Sequence, residues 1–198
     1  SAFDLNTWLP KKLGERIGRA VAADLITGTG TGMPTGILPV ATASGVTLTN
    51  ANWIATTSAA YALIYDAIVD LEHSVDPAYR ATDTRFLFSD KTLSTLRKVK
   101  DTQNRPLWLP VPVPGMPATI NGQPYTIDQG MPGTYGAAVR PILFGNFREG
   151  YLVRQALDVQ AVRLAERYAD FLQVGFFGFM RLDATVDDAA AVKALVLS

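Results

Sequence analysis

Five apolar residues, Leu9, Leu13, Ile17, Val21 and Leu25, recur every four positions, and a glycine-rich run over residues 28–36 follows at once. That pairing constrains the chain more than any other feature. A four-residue repeat holds its members near one face of a helix, so the segment must lay an apolar stripe on a partner element. Lys11, Lys12, Glu15, Arg16 and Arg19 fall off the stripe. Thr7 is placed to cap the start, and Pro10 is compatible with a helix because it falls in the first turn. Gly14, Gly18 and Ala22 form a small-residue stripe that another backbone can approach closely. The expected helix has about 18 residues and is roughly 27 Å long.

Further elements follow from local signals. Residues 57–73 read as a second helix with Ala60, Leu63, Ile64, Ala67, Ile68 and Leu71 inward, ended by Asp76-Pro77. Residues 85–88 read as a short buried strand, and Ser89 caps a third helix to about Lys98 with Leu93 and Leu96 inward. Pro106, Pro110, Pro112, Pro114 and Pro117 exclude helix and central strand, which leaves a stiff extended loop. Asn121-Gly122 suits a type I′ turn between strands at 118–120 and 123–127. Strands are expected at 142–144, 151–155 and 159–164, with a longer one at 172–182. The tail at 191–197 is strand or short helix. No internal repeat is visible. Helices and strands intermix and the late strands are antiparallel, so the fold class is α+β.

Composition excludes several functions. The 198 residues suit one domain or two small lobes sharing a core. Formal net charge is zero, whereas a dedicated DNA-binding protein carries a basic excess. With no cysteine, thiolate metal sites, disulfides and a cysteine nucleophile are excluded, and a reducing cytoplasm fits. The longest apolar run, 171–180, is far shorter than the roughly 20 residues of a membrane span. No signal segment opens the chain; its first residue, Ser1, fits a start made by processing or an arbitrary boundary.

The candidate chemistry is thin. The glycine run lacks the Gly-Lys-Ser/Thr of a P-loop, and Met33 and Thr35 stand where the dinucleotide fingerprint needs its third glycine. Phosphate loops also open a helix, whereas this one follows a helix, so it reads as a helix stop and chain reversal. His73 is the sole histidine and sits near a helix end, solvated or capping. Asp187-Asp188 reads as a turn or a helix start, with no partner motif for a metal. Phe171, Phe176, Phe177 and Phe179 have only Arg181 nearby, so core packing is preferred over a base-stacking platform. Arg97, Lys98, Lys100 and Arg105 read as a solvated helix face or a subunit contact, with phosphate contact the lesser option.

One resemblance gathers these pieces. The segment LITGTGTGMPTGIL at 25–38 resembles the end of the spine helix and the following loop in major capsid proteins of tailed phages. LRKVKDTQNRPLWLP at 96–110, Met131-Pro132, ILFGNF at 142–147 and ERYADFLQVGFFGFMRLDATV at 166–186 are similar to further blocks of that family, as is the alanine-rich close. The blocks stand in family order and span residues 9–195.

The resemblance implies a Hong Kong 97-type capsid fold. It implies a peripheral lobe over 1–44 and 146–180, with a spine helix and long antiparallel strands, and a mixed axial lobe over 45–145 and 181–198. Family members carry an N-terminal arm and an extended hairpin before the spine helix; this chain starts almost at that helix, as a fragment or after proteolysis. Residues 104–113 are expected near the capsomer centre, and the turn at 166–170 where capsomers meet. The implied contact residues are Asn104, Arg105, Leu107, Trp108, Glu166, Arg167, Tyr168 and Asp170. The 166–181 stretch has no asparagine, so no self-crosslinking is expected.

The implied function is a structural subunit, with no catalytic, cofactor or metal residues, that assembles into pentamers and hexamers enclosing double-stranded DNA. Its implied partners are itself, scaffold or prohead protease, portal and decoration proteins, and packaged DNA by non-specific contact. No membrane is involved. The implied location is the virion capsid, after synthesis in the bacterial host cytoplasm. Three alternatives stand beside this reading: an encapsulin-type nanocompartment shell, a hydrolase with a fold-assembled carboxylate site, and a nucleic-acid-binding module.

Overall fold

The computed structural model describes residues 5–80, 83–108 and 119–198. Pro110, Pro112, Pro114, Pro117 and Ala118, expected in the stiff loop and at a strand start, lie outside these.

Helix α1 covers Leu5–Thr27, longer than its apolar repeat alone suggests. Thr7 therefore lies inside the helix instead of capping it, and Pro10 falls in the second turn. Lacking an N–H, Pro10 removes one hydrogen bond near the helix start, where the loss disturbs little else. Gly14 and Gly18 have no atom within 4 Å of where a Cβ would stand, so the small-residue stripe faces open space.

Past Thr27 the chain reverses as the glycine run implies. The Gly36 N–H donates to the Gly28 carbonyl at 2.8 Å, and Thr29 bridges Thr35. A Cβ on Gly28 would stand 2.1 Å from the Pro34 carbonyl oxygen, and one on Gly36 would stand 2.5 Å from the Gly28 nitrogen. Two backbones touch where no side chain fits, so this glycine run is a structural clasp. The short helix α2 (Ile37–Val40) follows. Arg140 Nη1 donates to the carbonyls of Leu38, Pro39 and Ala41 at 2.6–3.1 Å, which satisfies its end.

The remaining elements are β1 (Thr42–Leu48), α3 (Asn50–Ile54), α4 (Ser58–Ser74), β2 (Thr84–Phe88), α5 (Asp90–Arg97), β3 (Thr119–Ile120), β4 (Gln123–Ile127), β5 (Ile142–Asn146), α6 (Phe147–Gly150), β6 (Tyr151–Leu164), β7 (Gly175–Val186) and β8 (Val192–Leu197). Short 3-10 turns lie at Pro77–Tyr79 and Ala169–Phe171. Thr57 and Ser89 cap α4 and α5 through their side-chain oxygens. Asn121 and Gly122 have φ of 51° and 79°, as a type I′ turn requires.

Six strands form one mixed sheet in the order β1-β8-β5-β2-β4-β3, with β1/β8 and β2/β4 parallel. The tail is therefore strand β8, paired into the middle of the sheet, and not a helix. Alternation sorts side chains to two faces. Phe86, Phe88, Ile142, Phe144, Leu195 and Leu197 join Trp53, Ile64, Ile68, Leu71 and Leu96 under α4 and α5. Leu143, Val192 and Ala194 face the other way, onto Ile26, Ile37 and Met131. Phe86 opposes Phe144 across β2/β5 with ring centroids 4.4 Å apart, a contact worth about 0.5–1.5 kcal/mol beyond its buried area. Leu63 is 45% exposed, contrary to the inward expectation. It lies about 100° round the helix from Ile64, off the buried stripe.

Strands β6 and β7 form a separate two-stranded antiparallel ribbon. The two strands expected at 151–155 and 159–164 are one 14-residue strand. The break read from the sequence survives as register shifts between Gln155 and Gln160. Helix α1 packs against this ribbon. Gly178 faces it, leaving room for Leu13 and Ile17, whose side chains come within 3.2–3.6 Å of an added Cβ.

Candidate interaction surface

The ribbon is covered on one face only. Phe176 and Gly178 point to the α1 side, while Phe177 points away, paired with Val162 and 5.5 Å from the Phe179 ring. Phe177 is 55% exposed, and Leu152, Val153, Val159, Val162 and Val174 are exposed as well. The aromatic cluster expected in the core therefore sits on a half-covered ribbon. A two-stranded ribbon has no second layer in which to bury both faces.

The tip is more apolar still. After the 3-10 turn Ala169–Phe171, Leu172 takes a left-handed conformation with φ 53° and is 98% exposed, beside Phe171 at 73%. Left-handed backbone is disfavoured for a leucine, and an isolated chain gains nothing by displaying it there. The turn is well held: the Phe171 and Gln173 N–H groups both donate to the Tyr168 carbonyl at 3.1 Å, and Leu172 N–H donates to Ala169 at 2.9 Å. Tyr168 packs on Gly175, where a Cβ would come within 2.6 Å of its ring.

Of the residues expected at this turn, Glu166 accepts the Ala169 N–H, Arg167 lies 5.9 Å from the centre of the Tyr168 ring, and Asp170 is exposed in the 3-10 turn. They shape and flank the tip, while its most exposed groups are Phe171 and Leu172. Reading Phe171 as core hid them. The available signal was an apolar pair directly after the charged turn and before Gly175.

The second expected group is built around Asp101. Its carboxylate accepts the Gln103 and Arg105 N–H groups at 2.8 and 2.9 Å and pairs with Arg105 Nε at 2.9 Å. Chiefly the Arg105 N–H, then its guanidinium, holds that carboxyl below its ordinary range. Asn104 closes the turn in a left-handed conformation, φ 62°. Leu107 is exposed, but Trp108 turns inward, stacked on Tyr65 at 5.9 Å and donating from Nε1 to Asn121 Oδ1 at 3.0 Å. Trp108 thus anchors the loop to the body. The two expected groups stand on separate elements, and residues 109–113 of the expected capsomer-centre loop lie outside the described residues.

His73 is exposed and accepts from Arg80 Nη1 at 3.3 Å when its Nδ1 is unprotonated. Asp188 accepts the Ala190 N–H at 2.7 Å and the Tyr79 hydroxyl at 2.5 Å, so the aspartate pair does form a turn. A cleft of about 410 Å³ lies between Asp83, Arg85, Thr126, Phe147 and Arg148. Among the described residues, no three His, Asp or Glu side chains gather closely enough to hold a metal ion. No helix there is long and apolar enough to cross a membrane.

Comparison with known proteins places this architecture. The phage capsid family profile matches residues 1–197. The chain is 31% identical to the capsid of a native GTA particle, with a TM-score of 0.84, covering 100% of this chain and 67% of that one. Against the capsid of an empty GTA particle the values are 30%, 0.82, 100% and 68%. A structure from Mycobacterium phage Bobi shares the fold at 15% identity and a TM-score of 0.63, covering 100% of this chain and 66% of that one. Comparison with curated proteins returns no match. These findings favour neither the nanocompartment nor the hydrolase alternative. The chain belongs to the phage capsid family and is a structural shell subunit.

Proposed function

We propose that copies of this chain associate into pentamers and hexamers that close an icosahedral shell around double-stranded DNA. The observation that carries this reading is the exposed, left-handed Leu172 beside Phe171 at the ribbon tip. Burying two such side chains contributes about 1.5–3 kcal/mol each, and neighbouring copies supply the covering surface. Capsomer rings themselves need heterologous contacts that close, and the tip adds the contacts between rings. The capsid structures that this chain resembles come from assembled particles, which supports self-association.

In this reading a peripheral lobe at about 1–44 and 146–180 holds α1 and most of the ribbon, and an axial lobe at 45–145 and 181–198 holds most of the mixed sheet with α4 and α5, while β7 runs on across that boundary to Val186 and β1 starts before it at Thr42. The tip framed by Glu166, Arg167, Tyr168 and Asp170 sits where capsomers meet. Asn104, Arg105 and Leu107, held in place by Trp108, face the capsomer centre. The subunit works in the virion capsid after synthesis in the host cytoplasm, beside scaffold or protease, portal and decoration proteins. Its contact with packaged DNA is non-specific and, with zero formal net charge, weak. The chain does no chemistry in this role.

Leu172→Asp tests the reading, because a charge at a buried contact is costly and one at a solvated tip is not. Capsomers are expected to form while closed shells fall at least tenfold in yield, read by sedimentation. Shells at normal yield would contradict the role given to the tip.

A further inference from the structure

The axial part of the molecule carries opposite charges on opposite flanks. Helix α4 lies along β1 and β8, at one end of the six-stranded sheet. Leu63, Asp66 and Asp70 stand at i, i+3 and i+7 on α4 and form one exposed stripe. Tyr65 lies about 200° round the helix from Leu63. It stacks on Trp108, and Asp66 and Asp70 lie about 100° and 140° round the helix from it, so the stripe is turned off the side that holds Trp108. Asp66 and Asp70 are four apart and repel each other, a like-charge pair that weakens an isolated helix.

The other end of the sheet is β4-β3. Helix α5 reaches it through Arg97, whose Nη2 donates to the Tyr125 hydroxyl at 3.3 Å. The following loop reaches it through Trp108 and Asn121. This flank carries Lys98, exposed, and Lys100, half-buried, beside Leu107, which is 41% exposed and whose N–H bonds the Val99 carbonyl. Arg105 is already paired with Asp101. Asp66, Asp70, Lys98 and Lys100 make no ion pair among the described residues.

We propose that these flanks dock on one another between copies: Leu63, Asp66 and Asp70 of one subunit meet Lys98, Lys100 and Leu107 of the next. Two acids and a leucine on one flank face two cations and a leucine on the other. Because the surfaces differ, the contact is head to tail and repeats around a ring. Complementary charge also fixes which flank meets which, since like charges brought together are strongly unfavourable. This inference rests on the shell-subunit reading and names the contact that builds one capsomer, separate from the ribbon tip.

A charge exchange tests it in the complete gene product. The pair Asp66→Lys with Asp70→Lys, and the pair Lys98→Glu with Lys100→Glu, are each expected to weaken capsomer formation at least tenfold by sedimentation. Combining all four should restore it to within about threefold, and wild-type association should weaken as salt rises. Circular dichroism of each variant establishes that it is folded, and the fourfold combination reads the contact even where one pair alone folds poorly. If either pair leaves association unchanged, or the combination stays as defective as its parents, the proposal is overturned while the shell reading stands. A defect confined to the lysine variant also overturns it, because the lysines then face something other than the acid stripe, such as DNA. Wild-type protein that never associates sinks the shell reading and this contact together.

Discussion

At the scale of single residues, polar groups at the joints do more than their number suggests. The Tyr79 hydroxyl donates to Asp188 at 2.5 Å and ties the turn after α4 to the turn before β8. This hydrogen bond, then the Ala190 N–H, holds the Asp188 carboxyl below its ordinary pKa, and the same bond with the charge of Asp188 raises that of Tyr79. A lowered carboxyl contributes stability above its unfolded pKa, lost as pH falls through the lowered folded value. A raised phenol contributes below its unfolded pKa of about 10, lost as pH rises through its folded value. Tyr79→Phe should therefore flatten both arms of the stability profile, below about pH 4 and above about pH 10, and leave the neutral region least changed in slope. Denaturation midpoints measured across pH check this. Arms identical to wild type would show that the bond does not link these turns in solution.

Among elements, α1 and the ribbon are joined through the glycine clasp. Tyr151 opens β6, and its single hydroxyl proton is shared between the carbonyls of Thr35, in the glycine clasp, at 2.7 Å and Leu25, in the last turn of α1, at 3.1 Å. Burial, with the charge of Asp183 added, pushes its pKa up to about 12. The Thr35 N–H in turn donates to the Ala184 carbonyl of β7 at 3.1 Å. One phenol thus joins helix end, clasp and ribbon base. Tyr151→Phe keeps the ring and removes the donor, so stability should fall by about 1–2 kcal/mol with an unchanged denaturant slope. No shift in midpoint would mean water serves those carbonyls equally well.

How far such joins could be read beforehand depended on the kind of signal. Helix α5 declared itself through period and cap, with Ser89 one residue before its first turn, whereas α4 declared itself through period alone and Thr57, read as its first residue, is its cap. Asn121-Gly122 declared its turn because few other pairs accept two positive φ angles. Strand β1 went unread: Thr42–Leu48 has little apolar alternation, because it is an edge strand whose place is set by pairing with β8. The continuity of β6 was hidden by its bulged register. Leu63 and Phe171 were misplaced for one reason: apolar residues signal burial without saying whether the covering surface belongs to the same chain.

For the whole molecule, the division of labour follows from where apolar surface is spent. The six-stranded sheet is covered on both faces and supplies most of the core, with β5 buried along its whole length. The ribbon has one covered face, one open face and an apolar tip, and only Ala184 of its residues is fully buried. A solvated monomer keeps few contiguous apolar patches of this kind. Family membership, the folded body and the exposed ribbon all lead to a shell subunit. What single-chain reasoning reached least well is the contact surface, because its energetics live between copies.

The central claim is therefore one of assembly, and imaging tests it most directly. The complete gene product, expressed and purified from bacterial cells, is examined by electron microscopy. Closed shells of pentamers and hexamers are expected, with the Phe171–Leu172 tip buried between capsomers at every junction. Persistent monomers under all conditions, with no capsomers and no shells, would contradict it.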